Sequence, residues 1–257
     1  MNSLYVMFKK EVLEIYRSKK FLILLVIFVF IAIGSPIIAK LIPTLLKSMP
    51  ETPGISITIP DPTWKDSVDQ LVKNIVQFGY IVIIFMFAGA IAEEKNKKTL
   101  ELTLTKPIPR ANFVLSKFFA AGAYLKIVFI ASMAAFYSYT LSLFGSFSLI
   151  NLAWLTLFLL IFLTLILALT IFASTISSTQ IGAAGISFII SIVFTTVIGY
   201  IKKITDYSPS FILSHYQDLM TDANIADFVP STVTSLCLIV LLIASSTYFF
   251  RKQEIER

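Results

Sequence analysis

Long apolar runs separated by short polar or charged breaks dominate the chain, and their lengths predict membrane-spanning helices. Residues 127–201 form a stretch of 75 residues without a formal charge. A span needs about 20 apolar residues, so this stretch alone holds about three crossings. Two breaks divide it, Phe144-Gly145-Ser146 and Ser177-Ser178-Thr179-Gln180, both small and polar as tight interhelical turns are. Elsewhere, residues 21–39 are uncharged between Lys19-Lys20 and Lys40, residues 74–92 form a second run, and residues 114–144 form a third that contains Lys117 and Lys126. The last run, 230–250, opens with Pro230 and stops at Arg251-Lys252. The predicted spans are therefore 21–39, 74–92, 114–144, 149–176, 181–200 and 230–250. They are read as helices because an open sheet cannot satisfy its backbone in lipid. The first run has 19 residues, longer than the roughly 7–15 of a signal-peptide core, and reads as a retained span.

Composition narrows the class further. Apolar types make up 57% of the 257 residues and charged types 14%, against about 45–50% and about 25% for a soluble domain. The 23 Phe and 10 Tyr exclude a disordered chain. A single cysteine excludes a disulfide framework, and a single histidine excludes a multi-histidine metal centre. The expectation is one all-α polytopic membrane domain over residues 1–257, with six transmembrane helices behind an N-terminal amphipathic helix.

The net charge of +6 then reports orientation rather than nucleic acid. With the N-terminus placed in the cytoplasm, 14 of the 21 Lys and Arg fall on the inner side and 6 on the outer, with Lys126 inside a span. That asymmetry fits six crossings in a plasma membrane with both termini cytoplasmic.

Four segments lie outside the predicted spans. In residues 1–20, Leu4, Phe8, Val12 and Ile15, with Met7 and Tyr16 alongside, make an apolar stripe at helical spacing, as expected of a helix in the interface plane, either a simple membrane anchor or a lever packed against a cytoplasmic partner. The 40–73 loop holds five of the ten prolines and reads as an irregular connection. The 201–229 segment, with Phe211, Ile212, Leu213, Tyr216 and Leu219, suggests short helices against the outer leaflet; its His215 reads as structural.

The fourth, 93–113, is densely charged. It runs Glu93-Glu94-Lys95-Asn96-Lys97-Lys98-Thr99-Leu100-Glu101-Leu102-Thr103-Leu104-Thr105-Lys106-Pro107-Ile108-Pro109-Arg110 before the third span. Thr99 to Lys106 can form a short helix that Pro107 stops. Leu100 and Leu104 lie one turn apart on it with Glu101 beside them, either a small apolar face that needs something to dock on or part of a solvated, positive-inside loop.

At this loop the chain resembles the membrane subunits of type-2 ABC exporters, in the single-domain form that pairs with a separate ATPase. Their loop after the second span carries an acidic pair, a basic stretch, Gly-Thr-Leu-Glu, then Pro, Arg and a Gly-Lys at the start of the third span. The matching residues are Glu93, Glu94, Thr99, Leu100, Glu101, Leu102, Leu104, Pro107, Arg110 and Lys117; Lys98 stands where glycine is usual, Pro109 where serine is, and Ser116 precedes Lys117. The N-terminal helix, six spans and apolar segment before the last span extend the resemblance over the whole chain.

The resemblance implies a permease working as a dimer, with the 93–110 loop docking on a nucleotide-binding subunit. Leu100 and Leu104 would sit in a groove of that ATPase, with Glu101 and Arg110 holding the orientation. The chain has no G-x-x-x-x-G-K-[ST] phosphate loop, so it is expected to bind no cofactor itself, ATP and Mg belonging to the partner. Met7, Met49, Met86, Met133 and Met220 form no cluster, and no copper or other metal site is expected.

Three further features are open to two readings. Ala183, Ser187, Ser191, Thr195 and Gly199 recur at every fourth position, which suits close helix packing, a dimer contact or a wall of the substrate path. Lys126, within a span, either snorkels to the headgroups or faces the path. Cys237 reads as a buried small residue. Two other functions compete. A secondary transporter usually carries intramembrane acids, and an intramembrane enzyme needs a nucleophile–base pair or metal ligands; the spans hold neither.

Overall fold

Several of the apolar runs fold into helices that are longer than the runs themselves. The computed structural model describes residues 3–47, 60–99, 109–193, 205–221 and 224–253, among which there is no strand. In chain order the helices are α1 (Ser3–Arg17), α2 (Lys20–Lys47), α3 (Trp64–Asn74), α4 (Tyr80–Phe87), α5 (Gly89–Asn96), α6 (Arg110–Phe144), α7 (Leu149–Ile176), α8 (Gln180–Ile192), α9 (Phe211–Thr221) and α10 (Val229–Lys252). A π-helical turn, Ile75–Gly79, joins α3 to α4, and short 3-10 turns precede α9 and α10. Five stretches are long and apolar enough to cross a membrane: Lys20–Leu45, Trp64–Asn96, Arg110–Phe144, Leu149–Ile176 and Ile225–Lys252. The shorter apolar helix α8 covers the start of the predicted 181–200 span, whose remainder from 194 lies outside the described residues.

Two predicted boundaries are corrected. The second stretch begins at Trp64 rather than 74. Lys65, Asp66, Asp69 and Lys73 hide a helix whose inner face, Val68, Leu71 and Val72, is buried. Its start is capped by the Thr63 amide donating to Asp66 Oδ2 at 2.7 Å. The end of the 40–73 loop is therefore helical, not irregular. Likewise α2 does not stop at Ala39 but continues through Pro36 and Pro43 to Lys47, which membrane helices tolerate.

The turns fall where the small polar residues predict them. Gly145, with φ +85°, takes the left-handed conformation that closes α6, and Ser148 Oγ caps α7 by accepting from the Asn151 amide at 3.3 Å. Thr179 Oγ1 caps α8 by accepting from the Gly182 amide at 3.1 Å.

Helix α7 occupies the centre. It carries no charge, and Leu159, Leu163, Ile166, Leu167 and Ile171 are all fully buried, as expected of a helix that is apolar all round. Around it pack α4, α5, α6, α8, α9 and α10, while α1 lies against α6 and α2. Aromatic contacts tie the outer helices together: Phe28 meets Phe129 edge-on at 6.1 Å, and Phe113 stacks on Phe250 at 5.0 Å. On the far side from α1, Gln217 Nε2 donates to both Asp69 carboxylate oxygens at 2.7 and 2.8 Å, fixing α9 to α3. Beside it, burial and then the Asp69 charge push the Tyr216 hydroxyl up to about 12, so it stays protonated as a donor. His215 breaks the regularity of α9 and stacks on Phe211 at 4.1 Å.

Candidate functional site

At the end of the bundle that carries α1 and the last residues of α10, charges are buried rather than solvated. Lys117, seven residues into α6, has a side chain only 4% exposed. Its Nζ donates to Glu94 Oε1 at 2.6 Å and to Glu11 Oε2 at 3.0 Å, and lies 5.0 Å from the Phe113 ring centroid. Lys10 Nζ adds contacts of 3.3 Å to Glu11, 3.6 Å to Glu14 and 3.9 Å to Glu94. One ammonium thus bridges three segments: α1, the end of the second stretch and the start of the third. Removing one member of a buried ion pair typically costs about 3–5 kcal/mol, because the other charge is left without compensation. The cluster is a strong constraint on how these segments sit, whatever its net contribution to stability.

A cavity of about 310 Å³ opens beside the cluster, with Glu11, Glu14, Glu93, Glu94, Lys97 and Lys117 on its walls. Glu94 Oε2 is buried there without a hydrogen-bond partner. Carboxylate oxygens of Glu11, Glu14 and Glu94 lie within 4.8 Å of one another, close enough for a metal ion. Lys10 and Lys117 already compensate them, so a cation would have to displace an ammonium.

The neighbouring contacts pin both roots of the 100–108 segment. On the incoming side, the amides of Ile91 and Ala92 donate to Ser174 Oγ of α7 at 2.9 and 3.0 Å. Lys95 Nζ donates to the Thr175 carbonyl, which also accepts from Gln253 Nε2 at 2.9 Å. Lys98 then turns the chain with φ +55°, the left-handed region that glycine enters freely. Thr99 Oγ1 donates back to the Glu94 carbonyl at 3.3 Å. On the outgoing side, Arg110 Nη1 donates to the carbonyls of Arg251 and Gln253, both at 2.9 Å, capping the C-terminus of α10. Helix α1 is fastened to α6 at two more points, Asn112 Nδ2 to Ser3 Oγ at 2.7 Å and Tyr124 Oη to the Val12 carbonyl at 2.8 Å.

The loop residues expected to matter therefore separate. Glu94, Thr99 and Arg110 hold the frame, and Glu93 pairs at the surface with Lys97 at 2.6 Å. Leu100, Glu101, Leu104 and Pro107 lie outside the described residues. Of the small-residue stripe, Ala183, Ser187 and Ser191 are completely buried within the bundle, the position of ordinary helix packing; Thr195 and Gly199 lie outside the described residues. Lys126 is exposed on α6 among Ile127 and Ile130, away from the cluster. Cys237, expected inside, is exposed on α10.

The pattern of apolar residues alone left Glu11 unnoticed. A signal was present: Glu11 stands four residues after Met7 and four before Ile15, the other buried positions of α1, so a carboxylate occupies the apolar stripe.

A family model described as "ABC-2 family transporter protein" matches residues 5–255. A protein of Bacillus subtilis (strain 168), described as "Uncharacterized transmembrane protein YxlG", is 25% identical over 269 residues, covering 99% of each chain.

Proposed function

Because the chain belongs to the ABC-2 family of transporter proteins, we propose that it is the permease of an ATP-driven exporter. In this reading it forms the substrate pathway as a dimer and holds no nucleotide itself. ATP and Mg sit on a separate nucleotide-binding subunit, which docks on the 93–110 loop at the cytoplasmic face, where both termini lie.

The observation that carries this reading is the buried Lys117 ammonium, which joins Glu94 and Glu11 at the root of that loop. A partner that pulls on residues 100–108 pulls on two anchored roots. Through Lys117 and Glu94 the load passes to the second and third stretches together, and through Glu11 it reaches α1. Through Arg110 it reaches the end of α10. Closure of two ATPase subunits on ATP would move these elements as one body, the type of rigid shift that packed helices support.

Copurification tests it. The tagged chain should bring down a nucleotide-binding subunit, and ATP hydrolysis by that complex should fall when Leu100 and Leu104 are both replaced by Asp while insertion is retained. A chain that inserts and folds yet never retains an ATPase would overturn the reading.

A further inference from the structure

A groove of about 550 Å³ runs along the outside of the bundle between α6 and α10. Its floor is Phe118, Ile239 and Ile243, each less than a tenth exposed. Along α10 the residues at 240, 244 and 248 stand in one row. Val240 and Tyr248 project from it at 67% and 54% exposed, with the small Ala244 between them. Phe119 of α6, 49% exposed, forms the opposite wall. The groove exists because a methyl group occupies the middle of a ridge.

One end of the groove is cationic. Arg251 is part of its lining, and among the described residues no carboxylate comes within ion-pair distance of it. Arg110 reaches the same point through the Arg251 carbonyl, and Lys252 lies over the Tyr248 ring at 4.7 Å from its centroid. From Arg251 to Ile239 is twelve residues of one helix, about 18 Å at roughly 1.5 Å per residue. One leaflet of a bilayer is about 15 Å of hydrocarbon, half of about 30 Å. An aromatic residue and two cations at one end, with an apolar channel one leaflet deep beyond them, match a lipid with a negative headgroup.

We propose that this groove is a binding site for an anionic phospholipid, one acyl chain lying over Ala244 between Tyr248, Val240 and Phe119, and the phosphate resting on Arg251. The site requires only that the bundle spans a bilayer. It does not depend on ATP coupling or on a partner, so it can fail while the permease reading stands.

Native mass spectrometry of the full chain, taken from membranes with whatever subunit copurifies, tests it with phosphatidylglycerol and phosphatidylcholine of equal chain length. The wild type should retain phosphatidylglycerol about fivefold more than phosphatidylcholine, equivalent to about 1 kcal/mol for one cation near the surface. Arg251→Gln should abolish the preference, and Ala244→Phe, which fills the channel, should lower retention of both lipids. Lys40→Gln, an exposed lysine elsewhere, should change nothing. An unchanged preference in Arg251→Gln, or an equal loss in Lys40→Gln, would overturn the proposal. So would ready disulfide dimerisation of Ala244→Cys in a Cys237→Ser background, which would put a second copy over the groove.

Discussion

Among the polar residues buried in the described part of this apolar bundle, two groups behave differently. Around Lys117, the partners come from positions 106 and 23 residues away in sequence, and each contact crosses from one helix to another. Along α8, Ser187 Oγ donates to the Ala183 carbonyl and Ser191 Oγ to the Ser187 carbonyl, both at 2.7 Å and both one turn back on the same helix. The first set ties three segments into one unit. The second lets helices approach closely while satisfying its hydroxyls locally. Buried polarity that crosses elements fixes their relative placement, as the proposed load path requires; buried polarity that closes on its own helix fills space.

The largest effect should come from Lys117→Met. It leaves the Glu11 and Glu94 carboxylates with only the longer contacts to the half-exposed Lys10, and about 3 kcal/mol of stability, the lower end of the range for breaking a buried pair, should be lost, read as unfolding in mixed micelles. Arg110→Ala should cost less, about 2 kcal/mol for a charged donor to two carbonyls, and should speed hydrogen exchange of the last turn of α10 without loosening α1. Lys98→Gly should act in the opposite direction. A side chain held at φ +55° carries a penalty that glycine lacks, so this variant should gain about 1 kcal/mol. Smallest of all, Ser187→Ala should cost no more than about 0.6 kcal/mol. A loss from Ser187→Ala as large as that from Lys117→Met would erase the distinction between the two regions.

The sequence made the helices legible because the lipid requirement for about 20 apolar residues is strong. Their ends were less so. Trp64–Asn74 carries its apolar side chains on one face only, and the charges on the other face mask it in a linear reading. Helix α2 runs past Pro36 and Pro43, which a soluble helix would seldom do. In the site, Glu94, Lys117 and Arg110 were singled out by their place in a loop pattern, but not what they touch. Glu94 meets Lys117 across 23 residues, Glu11 meets Lys117 across 106, and Arg110 reaches Arg251 across 141. Local spacing holds no trace of such pairings. Lys98 shows the converse: where the resembled pattern has glycine, the backbone takes the left-handed region with a lysine in place.

The most direct test of the proposed load path is a double-mutant cycle between Glu94 and Lys117, using Glu94→Gln and Lys117→Met in the complex of this chain with the proposed ATPase subunit. Permease-stimulated ATP hydrolysis is the readout, with unfolding measured in parallel. The two single variants should each depress stimulation, and the double variant should do little further harm, a coupling of about 1–3 kcal/mol. Strictly additive losses, or full stimulation in Lys117→Met, would mean that force does not pass through this cluster.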